Sequence, residues 1–147
     1  MLAIRIHETG GVETLRVDTV AVPAPGAGEV RLRVEAAGVN FIDTYQRSGL
    51  YAVPLPHTLG LEAAGIVTAV GAGVAEFSVG DRVASARAAG AYAGEALAPA
   101  AHTVKLPAGI TTLTAGALMS WAAARTSLGL DISIWGMLAG RTAPAAA

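Results

Sequence analysis

No cysteine occurs among the 147 residues. That absence removes disulfides, a thiol nucleophile and every thiolate-ligated metal site from consideration. A strong charge of either sign is also missing: the formal net charge is −1, and the ten Lys plus Arg are scattered along the chain. With no basic stripe to track a phosphate backbone, nucleic acid is not expected as a partner. Long hydrophobic runs are absent too. The most apolar window, residues 113–124, is closed by Arg125 and falls short of the roughly 20 residues a membrane span needs. The opening "MLAIRIHETGG" carries charges at Arg5 and Glu8 and reads as a strand, not as a secretory signal. The expectation is a soluble, cytoplasmic protein with no membrane partner. The histidines His7, His57 and His102 lie far apart, so no pair has metal-ligand spacing and no Ser-His-Asp arrangement can be drawn.

What is present is a greasy chain. Hydrophobic residues make up 53% and mean hydropathy is +0.53, much of it from alanine. The length suits one domain with a real core and is too short for two ordinary ones. Residues 2–7 alternate Leu2, Ile4 and Ile6 against Ala3, Arg5 and His7, which predicts a half-buried strand. Gly10-Gly11 turns the chain and residues 14–22 return as a second strand. "PAPGAGE" (23–29) is a connector. Val30, Leu32 and Val34 then alternate with Arg31, Arg33 and Glu35, the clearest strand of all. Further strands are expected at 63–70, after the "VGDRV" turn (79–83), at 91–98 and at 102–106.

The period changes in "NFIDTYQRSG" (40–49). Asn40 suits a helix N-cap, Asp43 places a negative charge in the first turn, and Gly49 stands where a helix-ending glycine belongs. Asp43 and Arg47 are four apart and can pair on one face. A second helix starts at Thr111 or Thr112 and runs to about Arg125. "VGAGVAEF" (70–77) carries two glycines of a dinucleotide fingerprint, but Glu76 stands in place of the third, so a hairpin turn is expected. Many short strands with Gly/Pro turns and few helices predict a mainly β fold, a barrel or sandwich with attached helices.

Three segments in order, "GVNFIDTYQRSGLY", "LGLEAAGIVTAVGAGV" and "VGDRVA", resemble the N-terminal half of zinc-free quinone oxidoreductases, the zeta-crystallin-like branch of the medium-chain dehydrogenase/reductase superfamily. The resemblance runs from residue 1 to about Met119. It implies a GroES-like partly open β-barrel over residues 1–119 that, in the family, packs against an NADPH-binding Rossmann domain and passes hydride to a quinone in the cleft between them. It also explains "LPHTLGLEAAGIV" (55–67). In zinc-bearing relatives a cysteine takes the position of Asn40 and a histidine that of Leu61; an amide and an isobutyl group replace them here. No metal site is expected, and the cofactor implied is NADPH without zinc.

The resemblance carries four site residues. Asn40, Tyr45 and Tyr51 are expected to form the catalytic floor, with Asn40 and Asp43 on the cofactor side and the two tyrosine hydroxyls lining the quinone pocket. Each has a plainer alternative: a helix cap for Asn40, a pair with Arg47 for Asp43, simple packing for the tyrosines. Glu62 is expected to be structural, fixing backbone amides or an arginine below the cleft.

Past about Met119 the likeness ends. "SWAAARTSLGL" replaces the family's helix continuation, and "DISIWGMLAGRTAPAAA" brings no phosphate loop. On this reading residues 120–147 are an atypical, truncated C-terminal segment and the Rossmann domain is absent from this chain. Most dinucleotide affinity comes from pyrophosphate at a helix N-terminus. A half-site should therefore bind NADPH no tighter than about millimolar, and the chain alone should turn over little. The apolar Ile132, Ile134, Trp135, Met137 and Leu138 are expected to fold back onto the barrel or to make a homo-oligomer. An enoyl or alkenal reductase domain, or a non-catalytic GroES-like interaction module, stand as alternatives.

Overall fold

In a computed structural model, residues 1–116 are described. The expected tail cluster around Trp135, the helix beyond Gly116 and the segment 120–147 lie outside them. Eight strands and two helices follow one another as β1 (Leu2–Ile6), β2 (Leu15–Thr19), β3 (Glu29–Gly38), α1 (Phe41–Ser48), β4 (His57–Thr58), β5 (Glu62–Val70), β6 (Arg82–Ser85), β7 (Glu95–Pro99), β8 (Thr103–Lys105) and α2 (Thr112–Gly116). They form a three-stranded sheet, β2-β1-β4, and a five-stranded sheet, β7-β3-β5-β6-β8. Every pairing among the described strands is antiparallel. The mainly β fold expected from the pattern, and the GroES-like half-barrel that the resemblance implies, are the fold observed.

The long strands β3 and β5 form its spine, from Val30 opposite Val70 to Gly38 opposite Glu62, with register breaks at Arg31/Leu32 and Val34/Ala36 that bend the sheet. The alternation read in β3 holds: Val30 and Leu32 are fully buried, and Arg31 turns outward to pair with Glu95 at 2.6 Å. These residues pack with Ala63, Val67, Phe77, Val83, Ala96 and Ala98 into a core whose small side chains let the strands curl closely. A smaller cluster of Ala64, Ala84, Leu106, Ile110 and Ala115 seats α2 against the sheet. Gly71 closes a turn by accepting from the Val74 N–H, so the glycine pair at 71–73 makes the expected turn and opens no helix.

Two expectations fail in β1 and β7. In β1, Ala3 and Ile6 are the buried residues while Leu2 is 64% exposed, against the simple alternation. The strand changes neighbours along its length. It pairs with β2 throughout, meets residues 92–94 near its start through an Ala3–Ala93 bridge and an Ile4 N–H to Tyr92 O bond of 2.7 Å, and meets β4 at its end. Its buried face therefore switches partway. For the same reason the strand expected at 91–98 begins only at Glu95, because residues 91–94 serve as the seam joining the two sheets.

Candidate functional site

The site is built at the N-terminus of α1. Asn40 is its N-cap in extended backbone, and Gly49 ends it in the left-handed region at φ 87°. Asp43 supplies one half of a capping box: the Asn40 N–H donates to Asp43 Oδ2 at 2.8 Å, and the Asp43 N–H donates to the Asn40 carbonyl at 3.1 Å. The Asn40 side-chain amide donates to Glu62 Oε2 at 3.0 Å, a contact made across the β3–β5 pair.

Glu62 is only 3% exposed, and Gly38 opposite it makes the space. A β-carbon on Gly38 would sit 2.5 Å from Glu62 Oε2 and 2.9 Å from the Gly116 carbonyl. The glycine of "GVN" is thus explained by the carboxylate of "LGLE".

Asp43 corrects one reading and reveals a residue the sequence did not mark. It does not pair with Arg47, whose guanidinium reaches back to the Gly10 carbonyl at 2.6 Å. Instead Asp43 is 3% exposed, and its Oδ2 also accepts from the Tyr92 hydroxyl at 2.8 Å, 49 residues away in sequence. The i,i+4 rule describes an exposed helix face; here the carboxylate points into the protein. Burial raises the pKa of the Tyr92 phenol well above the ordinary range. The hydrogen bond to Asp43 and the negative charges of Asp43 and Glu62 push the same way, so Tyr92 is a fixed donor.

Tyr92 reaches this place because Gly60 allows it. Gly60 has φ 95°, and a β-carbon there would come within 2.6 Å of the Tyr92 ring and 2.8 Å of its amide nitrogen. The Gly60 carbonyl accepts from Gly90 and Ala91, and the Leu59 carbonyl accepts from Tyr92. Nothing local in "GAYAG" signals this, since the pairing depends on two chain segments crossing.

The tyrosines expected at the site lie together. Tyr45 and Tyr51 meet edge to face with centroids 5.4 Å apart, and Phe41 stacks on Tyr45 at 6.3 Å. Phe41, which sequence reasoning passed over although it stands i,i+4 to Tyr45, is 80% exposed, and Tyr51 is 52% exposed. The structure therefore divides the expected floor into two groups that share α1. Asn40, Asp43, Glu62 and Tyr92 form a buried polar network, and Phe41, Tyr45 and Tyr51 form an aromatic surface open to solvent.

Of the histidines, His7 Nε2 lies 2.7 Å from Asp18 Oδ2. His57 lies in β4, where burial and then Arg5 lower its pKa. Among the described residues no three His, Cys, Asp or Glu side chains stand close enough together to hold a metal ion. No helix among them is long and apolar enough to cross a membrane.

Comparison with known proteins shows what the chain is similar to. Residues 26–108 match the alcohol dehydrogenase GroES-like domain. The quinone oxidoreductase of Lama guanicoe is 50% identical over 112 residues, covering 73% of this chain and 34% of that protein. A 2-haloacrylate reductase of a Burkholderia species is 44% identical over 113 residues, again 73% of this chain and 34% of that one. Among solved structures, the Escherichia coli quinone oxidoreductase complexed with NADPH superposes with a TM-score of 0.76 at 42% identity, over 79% of this chain and 36% of that one. The chain thus spans about a third of the length of the curated relatives it matches.

Proposed function

Because the chain belongs to the alcohol dehydrogenase GroES-like domain family, we propose that its residues 1–119 form the substrate-side domain of an NADPH:quinone oxidoreductase. The observation that carries this reading is the solvent-open aromatic surface of Phe41, Tyr45 and Tyr51, rooted in the same helix as the anchored amide of Asn40. Exposed aromatic faces of this kind suit a flat ring, which gains stacking and sheds water on binding.

The described residues fit the nicotinamide end of a dinucleotide and no more of it. Asn40 keeps one amide N–H beyond the bond to Glu62, and so offers a donor to a carboxamide. Asp43 stands behind it, buried, and contributes by fixing the Asn40 backbone. All described strand pairings being antiparallel, no parallel strand feeds a helix N-terminus that would take the pyrophosphate. NADPH, when bound, supplies the hydride.

The chain's own part is to place the acceptor. Phe41 and Tyr45 present ring faces, and the phenolic O–H groups of Tyr45 and Tyr51 donate hydrogen bonds to a quinone oxygen as charge builds there. That charge spreads over a conjugated ring, so such donors can do what a Lewis acid does for a simple ketone. The reading is accordingly zinc-independent: Asn40 and Leu61 stand where zinc-bearing relatives carry ligands. A cytoplasmic location is part of the same proposal.

A second reading is favoured by the 2-haloacrylate reductase relative: the acceptor would then be an activated alkene. Both readings are tested by adding 1,4-naphthoquinone or 2-chloroacrylate to the isotopically labelled full chain and following amide resonances. Shifts centred on Asn40, Tyr45 and Tyr51 with naphthoquinone alone support the quinone reading, and with chloroacrylate alone the alkene reading. Shifts confined to other regions overturn both.

A further inference from the structure

The helix that carries the aromatic surface is held in an unusual way. Asp43 is the one fully buried residue of α1, and the helix's apolar side chains are at most half-buried. Polar links hold it: Asn40 to Glu62 and Asp43 to Tyr92 at its start, and Arg47 to the Gly10 carbonyl at its end. Tyr92 is firmly mounted on the barrel. Its amide nitrogen donates to the Leu59 carbonyl at 3.0 Å, its carbonyl accepts from Ile4 at 2.7 Å, and its neighbour Ala93 bridges Ala3 at the seam between the two sheets.

Asp43 depends on it. Oδ2 takes two donors, Asn40 N–H and the Tyr92 hydroxyl, while Oδ1 is buried with no hydrogen-bond partner among the described residues. A carboxylate so sparsely solvated is poorly placed to lose either donor, and a shift towards water would carry the first turn of α1 with it.

We propose that Tyr92 is a positioning residue for ring recognition: its hydroxyl holds Asp43, Asp43 holds the backbone of Asn40, and the pair sets the pose in which α1 presents Asn40, Phe41 and Tyr45. The inference rests on the quinone reading and adds to it a determinant that touches neither ring. It also gives the glycine of "LGLE" a place in the site, since Gly60 is what lets the Tyr92 ring approach.

The experiment compares the full chain with its Tyr92→Phe and Tyr92→Phe/Asp43→Asn variants, using amide and aromatic NMR and naphthoquinone titration. In Tyr92→Phe the sheet resonances stay in place, residues 40–45 shift before any ligand is added, and the naphthoquinone dissociation constant rises roughly tenfold, the worth of one hydrogen bond to a buried charge. In the double variant a neutral amide keeps the bond to Asn40 without needing the phenol, and affinity returns to within about threefold of the unaltered chain. That recovery separates positioning through Asp43 from simple loss of packing. If Tyr92→Phe does not fold, folding itself is the readout: a double variant that folds and binds within about threefold of the unaltered chain supports the relay, and one that fails to fold or loses affinity tenfold or more overturns it. Undisturbed residues 40–45 and unchanged affinity in Tyr92→Phe overturn the inference and leave the quinone reading intact. No response of the unaltered chain to naphthoquinone overturns both.

Discussion

The five-stranded sheet and the helix α1 are neighbours held by different physics. The sheet is packed with alanine, valine and leucine: Val30, Leu32, Ala63, Val67 and Val83 are fully buried, and the strand backbones bond their neighbours. The helix buries a single carboxylate and leaves Phe41 largely in solvent. Apolar packing is non-directional and strong in sum, so it suits a scaffold. Hydrogen bonds are directional and weak in net, so they suit an element whose exact pose counts for more than its stability. The difference separates the part that must not move from the part that must be aimed.

Three substitutions press on that contrast. Leu32→Ala opens a cavity in the centre of the sheet and should cost about 3 kcal/mol, lowering the midpoint of urea unfolding for every probe at once. Asp43→Ala removes the acceptor shared by Asn40 and Tyr92 and should cost about 2 kcal/mol. Its signature is local, with amide exchange accelerated across residues 40–49 and little altered in β3 and β5. Uniform acceleration would mean that helix and sheet form one cooperative unit and that the contrast drawn here is false. Phe41→Ser should change stability by no more than about 0.5 kcal/mol, as for an exposed side chain, while abolishing the naphthoquinone response. A marked fall in thermal midpoint would show that the aromatic surface is part of the packing.

Much of this could be read along the chain. The alternation of Val30, Leu32 and Val34 placed the central strand, the Asn40 and Gly49 signals bounded α1, and the segments around "NFIDTYQRSGLY" pointed to Tyr45 and Tyr51 together, whose rings touch. Local rules worked wherever one short stretch settles its own environment. They failed where two distant stretches share one. The β1 alternation broke because that strand changes neighbours partway. The Asp43–Arg47 pair did not form because Asp43 points at a phenol 49 residues on, and Phe41 was passed over because its exposure becomes informative only beside Tyr45.

By itself the sequence determined the periods, the turns, the cap of α1, the lack of any thiolate ligand and the family likeness, since each of these is written within a few consecutive residues. Only the tertiary structure decided which carboxylates are buried, that Gly60 makes room for Tyr92, and that polar pins hold the start of α1. The reason is that burial and hydrogen-bond partnership belong to pairs of segments brought together by folding, and neither member of such a pair carries the other's address.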